Sequence, residues 1–170
     1  MQSASEKSEF EQIVERLVAG GVEFVVIGGQ AEYLLGGARV TFDTDLCYRR
    51  TKENLERLAQ AVRVLKPALR GAPPDLPFVL DARSLALGSN FTFSTTAGDL
   101  DLLGYVEPIG GYEELAEKAE VIRLGDMAVK VASLDDLIRI KQHLGRPKDR
   151  ESLMHLMAIR RVREEERNRP

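Results

Sequence analysis

The chain has 170 residues, 44% of them apolar, with a formal net charge of −3 and a single cysteine. That size fits one domain with a small helical appendage, and the slight acidity argues against a broad nucleic-acid-coating surface. One cysteine forms no intramolecular disulfide, no stretch has the apolar length of a membrane span and the N-terminus lacks a signal-peptide core, so a cytoplasmic protein is expected.

Residues before Glu9 form a polar, frayed terminus. Phe10, Ile13, Val14, Leu17 and Val18 recur at helical spacing, and Gly20-Gly21 stops that helix. Val22 to Ile27 has the length and apolarity of a buried strand. Gly28-Gly29 breaks it, and Gln30 to Leu35 forms a short helix ending at Gly36-Gly37. A strand follows over about Val40 to Tyr48. Thr51 is placed to cap a helix carrying Leu55, Leu58, Ala59, Val62 and Leu65, which Pro67 ends. Gly71 to Pro77 is a loop or a variable insertion.

Strands are expected near Phe91 to Thr95 and Asp99 to Val106, then a short helix over Tyr112 to Ala119. Val121 to Leu124 and Met127 to Val131 form a hairpin around Gly125-Asp126. Ser133-Leu-Asp-Asp136 has the pattern of an acidic capping box, opening a helix through Leu144. Gly145 and Pro147 interrupt it, and a last helix runs from about Lys148 into a tail of self-paired arginines and glutamates. The order predicts a mixed sheet with helices packed against it and a helical C-terminal piece.

Chemistry concentrates in Arg39-Val-Thr-Phe-Asp-Thr-Asp-Leu46. On a strand, Asp43 and Asp45 share one face with Cα atoms about 7 Å apart, and Phe42, Thr44 and Leu46 take the other. Two like charges side by side call for a proton or a cation, and an oxygen-only set suits Mg²⁺ with substrate phosphates. A second pair, Asp99 and Asp101, lies in Gly98-Asp-Leu-Asp-Leu-Leu-Gly104. Alternation cannot choose between them. Asp101 sits deeper, between Leu100 and Leu102, and a carboxylate there is costly to keep ionised without a cation. Gly28-Gly29 offers backbone N–H groups to a phosphate at a helix start, or is a tight strand-to-helix turn.

Elsewhere the residues carry less. Thr41 is expected as a strand residue and Cys47 as a small buried apolar one. His143 and His155 lack a second ligand at metal spacing, which argues against zinc, and no G-x-S-x-G marks a serine nucleophile. Arg139, Lys141, Arg146, Lys148 and Arg150 form a basic cluster, on a solvated face or toward a cleft.

In combination, a strand ending in Gly28-Gly29, a short helix, Arg39-x-Thr-x-Asp-x-Asp45 and a later acid-bearing strand resemble the DNA polymerase β-like nucleotidyltransferase superfamily. Within it the chain is similar to small bacterial members, the aminoglycoside nucleotidyltransferases and AbiE-type toxin nucleotidyltransferases. Ser133 to Lys141 with Gly145-Arg-Pro-Lys-Asp149 resembles the C-terminal helical motif of the AbiE-type group. Many relatives carry Gly-Ser where this chain has Gly28-Gly29, which leaves phosphate contact to backbone donors.

The resemblance implies an α/β (α+β) minimal nucleotidyltransferase fold, with a core domain over 1–132 and a helical segment over 133–170 packed on it. It implies an Mg²⁺-dependent enzyme that moves a nucleoside monophosphate from an NTP to a hydroxyl acceptor and releases pyrophosphate. Asp43, Asp45 and Asp101 would hold two Mg²⁺ ions, with Mn²⁺ as a substitute. Gly28, Gly29, Arg39, Lys141 and Arg146 would serve the nucleotide, although Arg39 is as well placed to pair with one of the carboxylates, which is preferred. The acceptor is an RNA end, as for a toxin-type enzyme with an antitoxin partner, or a small molecule, or a protein hydroxyl. The alternative is a non-catalytic nucleotide- or metal-binding module, or an antitoxin-like regulator.

Overall fold

The computed structural model describes residues 6–170, so the N-terminal stretch expected to fray lies, for residues 1–5, outside the described residues. Helix α1 (Glu9–Ala19) opens at Ser8, whose hydroxyl accepts from the Glu11 amide while the Glu11 carboxylate accepts from the Ser8 amide. Phe10, Ile13, Val14 and Leu17 form its buried stripe. Strand β1 (Phe24–Ile27) is buried along its whole length and runs directly into α2 (Gly28–Leu34). Gly28 and Gly29 are therefore the first helical residues rather than a break before the helix.

Strand β2 (Thr44–Tyr48) is shorter than expected from its sequence. It pairs with β1 only from Asp45 onward, opposite Ile27, and with the later strand Gly98–Leu103 only from Thr44. Beyond Ile27 the neighbouring segment has already turned into α2, so residues 40–43 lose their β1 partner and form a loop. Phe42 accordingly stands 75% exposed. Helix α3 (Lys52–Arg63) starts at Thr51, whose side chain accepts from the Asn54 amide. Asn54 is fully buried and bonds the backbone of Glu23 twice and the carbonyl of Arg49 once, fixing the helix to the ends of β1 and β2.

Two further elements flank the expected loop, in stretches for which no element was expected: the two-residue strand β3 (Ala68–Leu69) and helix α4 (Ala82–Leu87), capped by Asp81. The hairpin of β4 (Asn90–Thr95) and β5 (Gly98–Leu103) precedes α5 (Tyr112–Lys118), and β6 (Glu120–Leu124) and β7 (Met127–Val131) form the second hairpin. Helix α6 (Leu134–Leu144) begins at Ser133, which accepts from the Asp136 amide, and ends at Gly145 in the left-handed conformation. Helix α7 (Pro147–Arg167) starts with its proline in the first turn, where the missing N–H is not needed.

The seven strands of the described residues join one mixed sheet in the order β3-β4-β5-β2-β1-β7-β6. Strands β2, β5 and β1 occupy the middle. Leu46, Leu100 and Leu102 are fully buried there, each contributing about 1.5–3 kcal/mol through removal from water. Strand β5 alternates cleanly, with Leu100 and Leu102 inside and Asp99, Asp101 and Leu103 partly exposed. The C-terminal half of α7 is not wholly self-paired. Arg161 meets Glu165 one turn away, but Arg163 reaches Glu120 on β6 at 2.7 Å and Arg160 approaches Asp135 on α6 at 3.9 Å. No helix among the described residues is long and apolar enough to cross a membrane.

Candidate active site

A cavity of about 960 Å³ opens where β1 becomes α2, bounded by the loop before β2, by β5 and by α6 and the start of α7. All eight site residues expected from the sequence line it: Gly28, Gly29, Arg39, Asp43, Asp45, Asp101, Lys141 and Arg146. Asp99 does not.

Asp45 and Asp101 are register partners on the parallel strands β2 and β5, so their side chains leave the sheet together on the cavity side. Asp43 joins them from the last residue of the preceding loop. The Asp45 carboxyl is pushed up to about 7, first by burial and then by the neighbouring charges of Asp101 and Asp43, with Lys141 acting the other way.

The glycine pair has an internal reason to lack side chains. Gly28 has φ +67°, and a Cβ there would collide with the Asp45 carboxylate. A Cβ on Gly29 would stand 2.9 Å from the Thr41 side chain. A serine at this position would thus meet Thr41. Thr41 lies in the loop rather than a strand, held by its carbonyl, which accepts from the Gln30 side-chain amide at 3.1 Å.

Arg39 is exposed on the cavity rim and has no carboxylate partner among the described residues, contrary to the preferred expectation. Arg70, just past β3, makes that pairing instead. Its guanidinium lies 2.5 Å from Asp101 Oδ1 and 3.4 Å from Asp99 Oδ2, and it donates to the Phe93 carbonyl. The sequence offered no signal for Arg70, because its strand is two residues long and its partners are about thirty residues away.

Lys141 is only 15% exposed and sits between two buried carboxylates, 2.9 Å from Glu32 on α2 and 3.4 Å from Asp149 on α7. Arg146 caps the same cluster, 2.6 Å from the other Asp149 oxygen. The hydrogen bond from Arg146, with the charge of Lys141 behind it, holds the Asp149 carboxyl down at about 2 against the effect of burial. Glu32 was not expected at the site, and Asp149 was expected only as the end of the Gly145-Arg-Pro-Lys-Asp149 motif. An acid inside the otherwise apolar Ala31-Glu-Tyr-Leu-Leu35 turn was the available clue, since a buried carboxylate needs a partner.

Of the remaining side chains, Lys148 lines the cavity, Arg139 pairs with Asp136 at 3.5 Å, and Arg150 is exposed. His143 meets Glu107 at 3.1 Å on the outer wall. Cys47 is buried, its thiol pushed up to about 12 mainly by burial.

Asp43, Asp45 and Asp101 are hard oxygen donors on one wall, and the crowding that raises the Asp45 carboxyl is what a bound cation relieves. As they stand, no three acid, imidazole or thiol groups among the described residues converge on one ion. Asp101 holds Arg70 instead. The set fits a divalent metal in chemistry, with the guanidinium standing as the positive charge beside Asp101.

No family model matches the chain, and no curated protein sequence matches it. Solved structures do. The lincomycin-bound lincosamide antibiotic adenylyltransferase LnuA superposes with a TM-score of 0.57 at 14% identity, over 89% of this chain and 96% of that one. ANT(2'')-Ia in complex with adenylyl-2''-tobramycin gives 0.56 at 15% identity, over 86% and 84%. The fold is that of the DNA polymerase β-like nucleotidyltransferases. In this nucleotidyltransferase fold the central strands β2 and β5 carry the paired acids, and the β1–α2 turn packs against Asp45.

Proposed function

We propose that the protein transfers a nucleoside monophosphate from an NTP to a hydroxyl of a small-molecule acceptor, releasing pyrophosphate. The observation that carries this reading is the alignment of Asp45 with Asp101 across β2 and β5, with Asp43 beside them, at the wall of the large cavity in a nucleotidyltransferase fold. Asp43, Asp45 and Asp101 would hold Mg²⁺ or Mn²⁺. Such ions supply Lewis acidity to the phosphoryl oxygens and the acceptor hydroxyl. The chain's own groups position the reactants. The backbone of Gly28 and Gly29, which lines the cavity, receives phosphate, and the exposed Arg39 and Lys148 on the rim offset its charge. Lys141 and Arg146 act from within their carboxylate cluster, contributing field more than direct contact. A carboxylate of the set takes the acceptor's proton as the new P–O bond forms and the bond to pyrophosphate breaks.

The acceptor class rests on cavity size and on what the similar structures hold, an antibiotic in one and an adenylylated antibiotic in the other. ATP is the favoured donor on the same ground. The test is pyrophosphate release from each NTP with Mg²⁺ or Mn²⁺, against lincosamides, aminoglycosides and total RNA. Release dependent on a small molecule supports the reading. Label from α-labelled ATP on RNA ends would move the protein to the toxin-type group, and no release under any condition would leave the non-catalytic binding module.

A further inference from the structure

We infer that Arg70 is a built-in counter-cation that competes with a divalent ion for Asp101, so that the guanidinium and a metal exclude each other there. The inference rests on the metal-dependent reading of the site and adds a residue that the reading does not require.

Arg70 reaches the carboxylates from outside the core of the sheet. It follows β3, an edge strand of two residues, and its amide donates to the Thr92 carbonyl at 2.9 Å. That bond fixes the backbone next to β4 and aims the side chain across β4 toward β5. The guanidinium then spans three acceptors: Asp101, Asp99 and the Phe93 carbonyl. A planar fork with five donors suits this arrangement, whereas a point charge does not. Asp99 is itself held by Ser94, whose hydroxyl donates to it at 3.0 Å.

Asp99 thus gives Arg70 a second carboxylate close by, outside the cavity that Asp101 lines. The guanidinium can swing from Asp101 onto Asp99 without losing a charged partner. With Arg70 on Asp101, the paired acids are partly neutralised in the metal-free protein. With a divalent ion bound, Asp101 oxygens turn to the metal and Arg70 rests on Asp99. The device lowers metal affinity in exchange for a stable empty site, because two adjacent ionised carboxylates with no cation are unfavourable.

The test is Mn²⁺ binding to the purified full chain, read from the spin resonance signal of free Mn²⁺, together with thermal melts. Arg70→Gln is expected to bind Mn²⁺ about 10-fold more tightly, the scale of one lost charge-assisted competitor, and to melt lower without metal. Saturating Mn²⁺ should close the melting difference. Arg70→Lys, which keeps the charge but cannot span both acids, should fall between and serves if the glutamine variant does not fold. In an Asp101→Asn background the gain from Arg70→Gln should vanish. Unchanged or weaker Mn²⁺ binding in both Arg70 variants, with binding still lost in Asp45→Asn, overturns the inference and spares the metal reading. A gain that persists without Asp101 also overturns it, since the effect would then be general repulsion. No Mn²⁺ binding by any form overturns both.

Discussion

Asp45 on β2 and Asp101 on β5 are direct neighbours across a parallel strand pair in the middle of the sheet, both facing the same cavity. Each would be a poor choice for stability alone. Burial disfavours the charged form, and the neighbouring carboxylates repel, which is why the Asp45 carboxyl is pushed up to about 7.

Removing one of these charges should therefore separate function from stability. Asp45→Asn is expected to lose divalent-ion binding and transfer while the metal-free protein melts at the same temperature or higher. Calorimetry in the presence of a chelator checks this. A strongly lowered melting temperature would make Asp45 a structural acid.

Asp101 and Asp99 should differ sharply. Asp101 lines the cavity beside Asp45, while Asp99 pairs across the hairpin with Ser94 and contacts Arg70 outside it. Asp101→Asn should abolish nucleotide transfer and Asp99→Asn should lower it only modestly. Matched assays at saturating Mg²⁺ decide, and the reverse order would remove Asp101 from the site.

Much of this arrangement was legible in the chain, and the parts that were not share a physical cause. Periodicity located α1, α3 and the β6–β7 hairpin because each buries a regular apolar face. Capping chemistry placed the starts at Thr51 and Ser133. The depth of Asp101 between two leucines pointed to the acid that the register sets beside Asp45. What the pattern could not show was contact between distant segments. The end of β2 at Thr44 depends on where β1 turns, the Arg70 pairing depends on an edge strand too short to have a period, and the Lys141 cluster depends on α2, α6 and α7 meeting.

Gly28 is expected to tolerate no side chain. Its φ of +67° costs an L-residue about 1–2 kcal/mol, and the new Cβ would press on the Asp45 carboxylate. Gly28→Ala should lower the melting temperature and weaken metal binding together. Unaltered binding in a folded Gly28→Ala protein would show that the turn does not position Asp45.

Acid should weaken the cluster at Asp149. Its carboxyl is held at about 2 in the folded protein against 3.8 for an ordinary aspartate, so its contribution to stability is complete above about pH 4 and is lost as pH falls through 2. The stability difference between the parent chain and Asp149→Asn should shrink by about 2 kcal/mol over that window. Denaturant melts between pH 5 and pH 2 measure it, and a constant difference would deny Asp149 its charged role.

Lys141 joins three helices by charge, and its loss should be felt through all of them. Glu32 on α2 is 8% exposed and Asp149 on α7 is 2% exposed, with the Lys141 ammonium between them. Arg146 supports Asp149 but makes no ion pair with Glu32 among the described residues. Lys141→Met keeps the aliphatic bulk and removes the charge, leaving Glu32 buried without a cation. Breaking a buried pair in this way costs about 3–5 kcal/mol. For a chain of this size that corresponds to a fall of roughly 10 °C in melting temperature. Lys141→Met/Glu32→Gln, which removes both members, should recover much of the loss. Arg146→Met, acting on a side chain already half exposed, should lose much less. If Lys141→Met melts like the parent chain yet binds ATP weakly, the ammonium serves the triphosphate directly and the three-helix junction does not depend on it.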